Sequence, residues 1–227
     1  MSAATRSAEG RDLRGLRGDL ACVRRLWSAP IILPTSGMFI FLTYLAMPEL
    51  MAVPKDGPAR LASGLDGERT FLMRVLGLTD EPRWTGGFGN PQVQDMVMAS
   101  ARRHRRYPGM TQDQLDFMAM IIALAPLRVS AALTMSVDDE DRAGYWRYMR
   151  QVMAPFCSVL PEEDQASDHC ARQIARGAGA SRNGAVLLRQ LGETHPSHLI
   201  NAIPVLFPGS AAIVATMMES HDDEHHS

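Results

Sequence analysis

Apolar residues recur along this chain at three- and four-residue intervals, in stretches separated by clusters of Pro, Gly and Asn. No alternating run of β-branched residues competes with that period. The pattern predicts an all-α protein with at least six helices and almost no sheet, folded as a single irregular helical bundle domain. Gly37 to Met47 reads as a strongly apolar helix, and Pro48 opens a second short turn through Val53. Ala59 to Leu78 reads as a helix interrupted near Gly64 and Gly67, and Thr79 to Pro91 as a loop. Asn90 and Pro91 suit the cap and first turn of the next helix, which runs to about Arg106 and ends at Pro108–Gly109. Thr111 and Gln114 have the spacing of a capping box, opening a helix to about Leu133 that Pro126 should kink or break. Between Leu115 and Leu127 that helix carries only Asp116 as a charge, so Met118, Ile121, Ile122 and Leu124 are expected in the core. Asp138 to Ala154, Glu162 to Arg176, Asn183 to Gly192 and Ser197 to about Glu219 read as further helices, the last interrupted by Pro204 and Pro208.

Composition adds boundaries. Residues 1–20 are rich in Arg, Gly, Ala and Ser without clear periodicity and read as a flexible arm or a weak first helix. The domain proper is expected over 21–219, with an acidic, histidine-containing tail at 220–227. The formal charge is −2, and removing Glu219, Asp222, Asp223 and Glu224 would make it −2 + 4 = +2. Neither value predicts nucleic-acid binding. The three cysteines (Cys22, Cys157, Cys170) form no CxxC or zinc spacing, which suits a reduced, cytoplasmic protein. Arg6, Arg11, Arg14 and Arg17 precede no compact apolar run with a cleavage site, so no signal peptide is expected. The greasiest stretch, Met38 to Val53, contains Pro48 and Glu49 and is too short to span a bilayer, leaving peripheral membrane contact open.

The helix from Pro91 holds the candidate chemistry. At about 100° per residue, Val93, Val97, Ser100 and Ala101 fall on the side of His104, and Asp95 falls opposite. His104 therefore continues an apolar stripe, with Arg102, Arg103, Arg105 and Arg106 around it and no acid between Met96 and Met110. An imidazole beside guanidinium groups suits haem, which needs a ligand for its iron and cations for its propionates. Arg103 and Arg105 lie about 100° to either side of His104. A hydrogen-bonded core histidine and a solvated arginine face explain the same pattern.

The segment ARRHRRYPGMTQDQLDFMAMIIALAPLRVSAAL (Ala101 to Leu133) resembles the centre of MpaB-like proteins, a wider family that includes the latex-clearing rubber oxygenases. The likeness rests on His104 followed three residues later by Tyr107, an Asp-containing helix start, and an apolar helix ending in Pro126-Leu127-Arg128. GMFIFLTYLAMPELMAV upstream and DRAGYWRYMRQVMAPFCSVLPEED downstream resemble the flanking stretches, so the similarity spans roughly 36–165. The resemblance implies a mostly helical fold, globin-like in general character, that binds haem b through a helix histidine. It also implies an oxygenase using dioxygen on an apolar small molecule (an isoprenoid or natural-product intermediate), with C=C cleavage one such reaction. By that resemblance His104 is the axial iron ligand; Arg103, Arg105, Tyr107 and Arg128 are candidate cofactor contacts; Arg69 and Thr70 are candidates for polarising dioxygen. The rubber-cleaving branch carries an Arg three residues before its histidine, where this chain has Ala101, and this chain is much shorter than most members.

Two other readings remain at this stage: a non-catalytic helical binding protein for haem or a lipophilic ligand, and a haem-free protein whose arginine run binds anionic surfaces. Elsewhere, His195 and His198 flank a helix start without a third ligand at useful spacing. Asp168, His169 and Cys170 are adjacent on one helix and cannot form a triad alone.

Overall fold

The computed structural model describes residues 13–30, 32–33, 36–37, 40, 67, 70–106 and 110–177. These residues form no strand, as the period predicts, and the protein is all-α. The helices are α1 (Leu13–Trp27), α2 (Pro91–Arg105), α3 (Gln112–Ala132), α4 (Asp139–Met153) and α5 (Glu163–Gly177), with a further helical segment at 70–75. The connection before α2 contains two short 3-10 turns, Pro82–Trp84 and Gly87–Gly89. The expected helices 183–192 and 197–219, the tail 220–227 and nearly all of 37–53 lie outside the described residues.

Helix α3 is the spine. Thr111 accepts from the Gln114 amide at 3.3 Å while the Gln114 side chain accepts from the Thr111 amide at 2.7 Å, so the capping box forms as its spacing requires. Among the described residues α3 is the helix long and apolar enough to cross a membrane, yet 67% of its most apolar stretch is buried inside this protein. It is therefore a core helix. Ile121 and Leu124 are fully buried, whereas Met118 and Ile122 are half-buried at its edges. A fully buried Leu or Ile contributes about 1.5–3 kcal/mol, so the two flanking side chains supply less than the full value.

Pro126 does not break α3, which runs unbroken to Ala132. Its ring removes the amide that would reach Ile122, and burial of Pro126 on all sides holds the helix together there. The carbonyl of Ala123 accepts from the fully buried Tyr145 hydroxyl at 2.8 Å, which ties α4 to the same point. Desolvation pushes the Tyr145 phenol well above its usual range, keeping it a neutral donor.

Of the two readings of 1–20, a flexible arm or a weak first helix, the described part 13–20 is helical. Helix α1 starts at Leu13, and Asp19 and Leu20 are buried within it. Leu13, Leu16, Leu20, Val23 and Trp27 do carry a helical repeat, but the arginines and glycines between them lower its contrast. Helix α1 packs chiefly on α4, and Gly144 makes the approach possible. A Cβ there would stand 2.5 Å from the Cys22 sulfur. Ion pairs flank the seam, Arg147 to Asp19 at 2.8 Å and Arg25 to Asp141.

A second junction joins three parts of the chain. The Tyr148 hydroxyl on α4 donates to the Val75 carbonyl at 2.6 Å and accepts from the Phe88 amide at 2.7 Å. Gly87 lies between them with φ +55°, and a Cβ on it would meet the Tyr148 oxygen at 2.5 Å and the Val75 oxygen at 2.8 Å. Only glycine fits both the space and the left-handed backbone.

Candidate functional site

Helix α2 is aimed from its start. Asn90 Oδ1 accepts from the Gln92 amide at 2.9 Å, and its Nδ2 donates to the Arg83 and Thr85 carbonyls at 2.9 and 3.1 Å. The cap thus locks the helix to the preceding loop. Val93, Val97, Ser100 and Ala101 are buried along one face, and His104 follows them in phase as a half-buried residue.

The His104 ring has a defined orientation. Nδ1 lies 2.9 Å from the carbonyl oxygen of Ser100, one turn earlier, and 3.4 Å from the Ser100 hydroxyl. A backbone carbonyl can only accept, so that contact places a proton on Nδ1; in the neutral ring the lone pair is then on Nε2. Among the described residues Nε2 has no hydrogen-bond partner. The Phe156 ring stands edge-on to the imidazole, with centroids 5.9 Å apart and planes 69° apart. Phe156 is itself positioned through α3: Gln112 Nε2 donates to its carbonyl at 3.1 Å, and Asp116 accepts from Gln112 at 2.7 Å and from the Ser158 amide at 3.1 Å.

Arg102, Arg103, Arg105 and Arg106 are all exposed, and none forms an ion pair among the described residues. Tyr107 and Arg69 lie outside the described residues, as do His195 and His198. Thr70 is exposed at the start of the 70–75 segment. Arg128 is not brought to His104. It hydrogen-bonds through a terminal nitrogen to the Ser167 hydroxyl on α5. Along α3 it also lies about 18 Å beyond Asp116, at 1.5 Å per residue. Arg128 is half-buried and meets a hydroxyl there, while its buried Nε has no partner among the described residues.

All three cysteines are free and buried. Burial, reinforced by the Asp116 charge, pushes the Cys157 thiol up to about 11, and burial pushes Cys170 up to about 12. Burial also raises Cys22. Among the described residues no three His, Cys, Asp or Glu side chains gather into a metal site. His169 is half-buried, and among the described residues its Nε2 has no hydrogen-bond partner.

Two contributors escaped the sequence reading. Ser100 was visible on the His104 stripe, and its i−4 spacing is the signal for its carbonyl bond. Phe156 is 52 residues from His104 in a turn after α4, where no local pattern links the two. No family model, curated protein or solved structure matches this chain.

Proposed function

We propose that this chain is a haem b-dependent oxygenase for an apolar small molecule, with His104 ligating the iron through Nε2. The observation that carries the reading is the 2.9 Å contact from His104 Nδ1 to the Ser100 carbonyl. An axial imidazole must be neutral, fixed in one tautomer and held by an acceptor on its other nitrogen. His104 is half-buried with such an acceptor at Nδ1, and the Phe156 ring packs edge-on to it. Arg103 and Arg105 flank it without acid partners among the described residues, as propionate contacts should. The reading also draws on the resemblance to MpaB-like proteins. Bound haem supplies the dioxygen chemistry; the residues here hold the ligand, set its protonation and meet the carboxylates.

A second reading, a non-catalytic binding protein for haem or a lipophilic ligand, is favoured by one observation. Ser100 supplies the only hydrogen bonds to the His104 ring among the described residues, and Arg128 is engaged elsewhere. The absorption spectrum of protein purified from haem-supplied cells tests both. A Soret band that His104→Ala abolishes, and that His195→Ala and His198→Ala leave intact, is the expected result. Dioxygen uptake with an isoprenoid separates the oxygenase from the simple binder. Colourless protein that takes up no added haem overturns both, and a His104→Ala spectrum identical to that of the parent overturns the ligand assignment.

A further inference from the structure

Six arginines of the described residues pair with acids. Arg25 meets Asp141, Arg74 and Arg83 meet Glu81, Arg142 meets Glu163, Arg147 meets Asp19 and Arg150 meets Glu162. Arg24 and Arg172 are exposed singly without an acidic partner among the described residues, whereas the end of α2 gathers four such arginines within five positions. The cause lies in the sequence. The positions one turn before them are Met98, Ala99, Ala101 and Arg102, and no acid occurs between Met96 and Met110.

These arginines fall into two groups by direction. Arg103 and Arg105 flank His104, whereas Arg102 and Arg106 project about 160° away from it. A haem at His104 gives that second pair nothing to do. Met98 lies beside Arg102, one turn back on the same outward face, and is 42% exposed. Arg105 borders the strip on its other side. The result is a flexible thioether between the exposed Asp95, one turn before it, and the cations of the last turn, on a helix whose carboxyl end those cations also suit.

We infer that this outward face of α2 docks on an anionic phospholipid surface. Cations at such a surface each gain from the negative headgroup potential, and an unbranched apolar side chain between them can enter the headgroup layer. Nucleic acid fits less well. It offers no apolar layer for Met98 to enter between phosphates. The membrane-facing strip and the imidazole lie on different sides of one helix, so docking leaves His104 uncovered.

The test is co-sedimentation of the full chain with vesicles of phosphatidylcholine alone, and with vesicles containing about one third phosphatidylglycerol. Binding is expected only to the anionic vesicles, falling steeply as salt rises. Arg102→Glu/Arg106→Glu should weaken partitioning at least about 30-fold, at roughly fivefold for each lost cation. Arg102→Lys/Arg106→Lys should retain it, because the charge is kept. Met98→Ser should give a smaller loss. Arg172→Glu, an exposed arginine on α5, should have no effect. The spectrum at His104 should be the same in all four variants. Equal binding to neutral vesicles, unchanged partitioning of the double Glu variant, or tighter binding to duplex DNA than to anionic vesicles would overturn the inference.

Discussion

Tyr148→Phe removes one oxygen from the interior and leaves the side-chain volume nearly unchanged. The hydroxyl it deletes serves two backbone groups, the Val75 carbonyl at 2.6 Å and the Phe88 amide at 2.7 Å. Val75 and Tyr148 are fully buried and Phe88 is 3% exposed, so water cannot replace the lost partner. A buried backbone group left unpaired costs about 1–3 kcal/mol. Two such groups make the expected loss about 2–6 kcal/mol, with no cavity contribution because Phe fills the same space. For a chain of this size each kcal/mol corresponds to about 2–4 °C, which places the fall in melting temperature at about 4–24 °C. Urea unfolding followed by circular dichroism should show a lower midpoint at an unchanged slope. Amide exchange should accelerate at Phe88 well beyond the rest of the core. Tyr145→Phe, which frees only the Ala123 carbonyl, should cost about half as much. A Tyr148→Phe variant within about 0.5 kcal/mol of the parent would refute the reasoning, since it would mean that the two backbone groups pair without the hydroxyl.

Two further predictions concern titration and reactivity. The Arg25 guanidinium holds the Asp141 carboxyl below its ordinary range, so this pair contributes stability above about pH 4 that is lost as pH falls through the folded-state value. Asp141→Asn should therefore be less stable than the parent at pH 7 and indistinguishable from it in strong acid; a gap of constant size across pH, read from urea midpoints, would contradict this. With all three thiols buried and Cys157 and Cys170 pushed up to about 11 and 12, a disulfide reagent at pH 8 should label the native protein slowly and the urea-unfolded chain fully. Rapid stoichiometric labelling of the native protein would show that the seams around these cysteines open readily.

Where local chemistry decides the structure, the sequence was legible. Thr111 with Gln114 and Asp138 at the head of α4 are caps whose partners lie within three residues, so spacing alone locates them. The apolar run of α3 likewise announced a core helix. Helix α1 was legible only as the weaker alternative to an arm, because arginines and glycines interrupt its apolar repeat and its packing depends on Gly144, more than 115 residues away. Arg128 misled for the same reason. Its partner Ser167 sits on another helix, and an arginine on an apolar face does not reveal whether an acid, a hydroxyl or a ligand meets it. His104 stood out by phase, and the Ser100 bond follows from that phase; the contact with Phe156 arises only from how the turn after α4 folds back.

The Asn90 cap has a mechanical consequence. It fastens α2 to the Arg83–Thr85 loop at one end, and His104 rides on the same rigid rod about 21 Å away, fourteen residues along at 1.5 Å each. Asn90 is the fulcrum of that rod. A tilt of about 5° there swings the imidazole by about 2 Å, the difference between a ring that reaches a target atom and one that misses it. The aim of His104 is therefore set as much by a hydrogen-bonded loop at the far end of the helix as by the side chains that touch it.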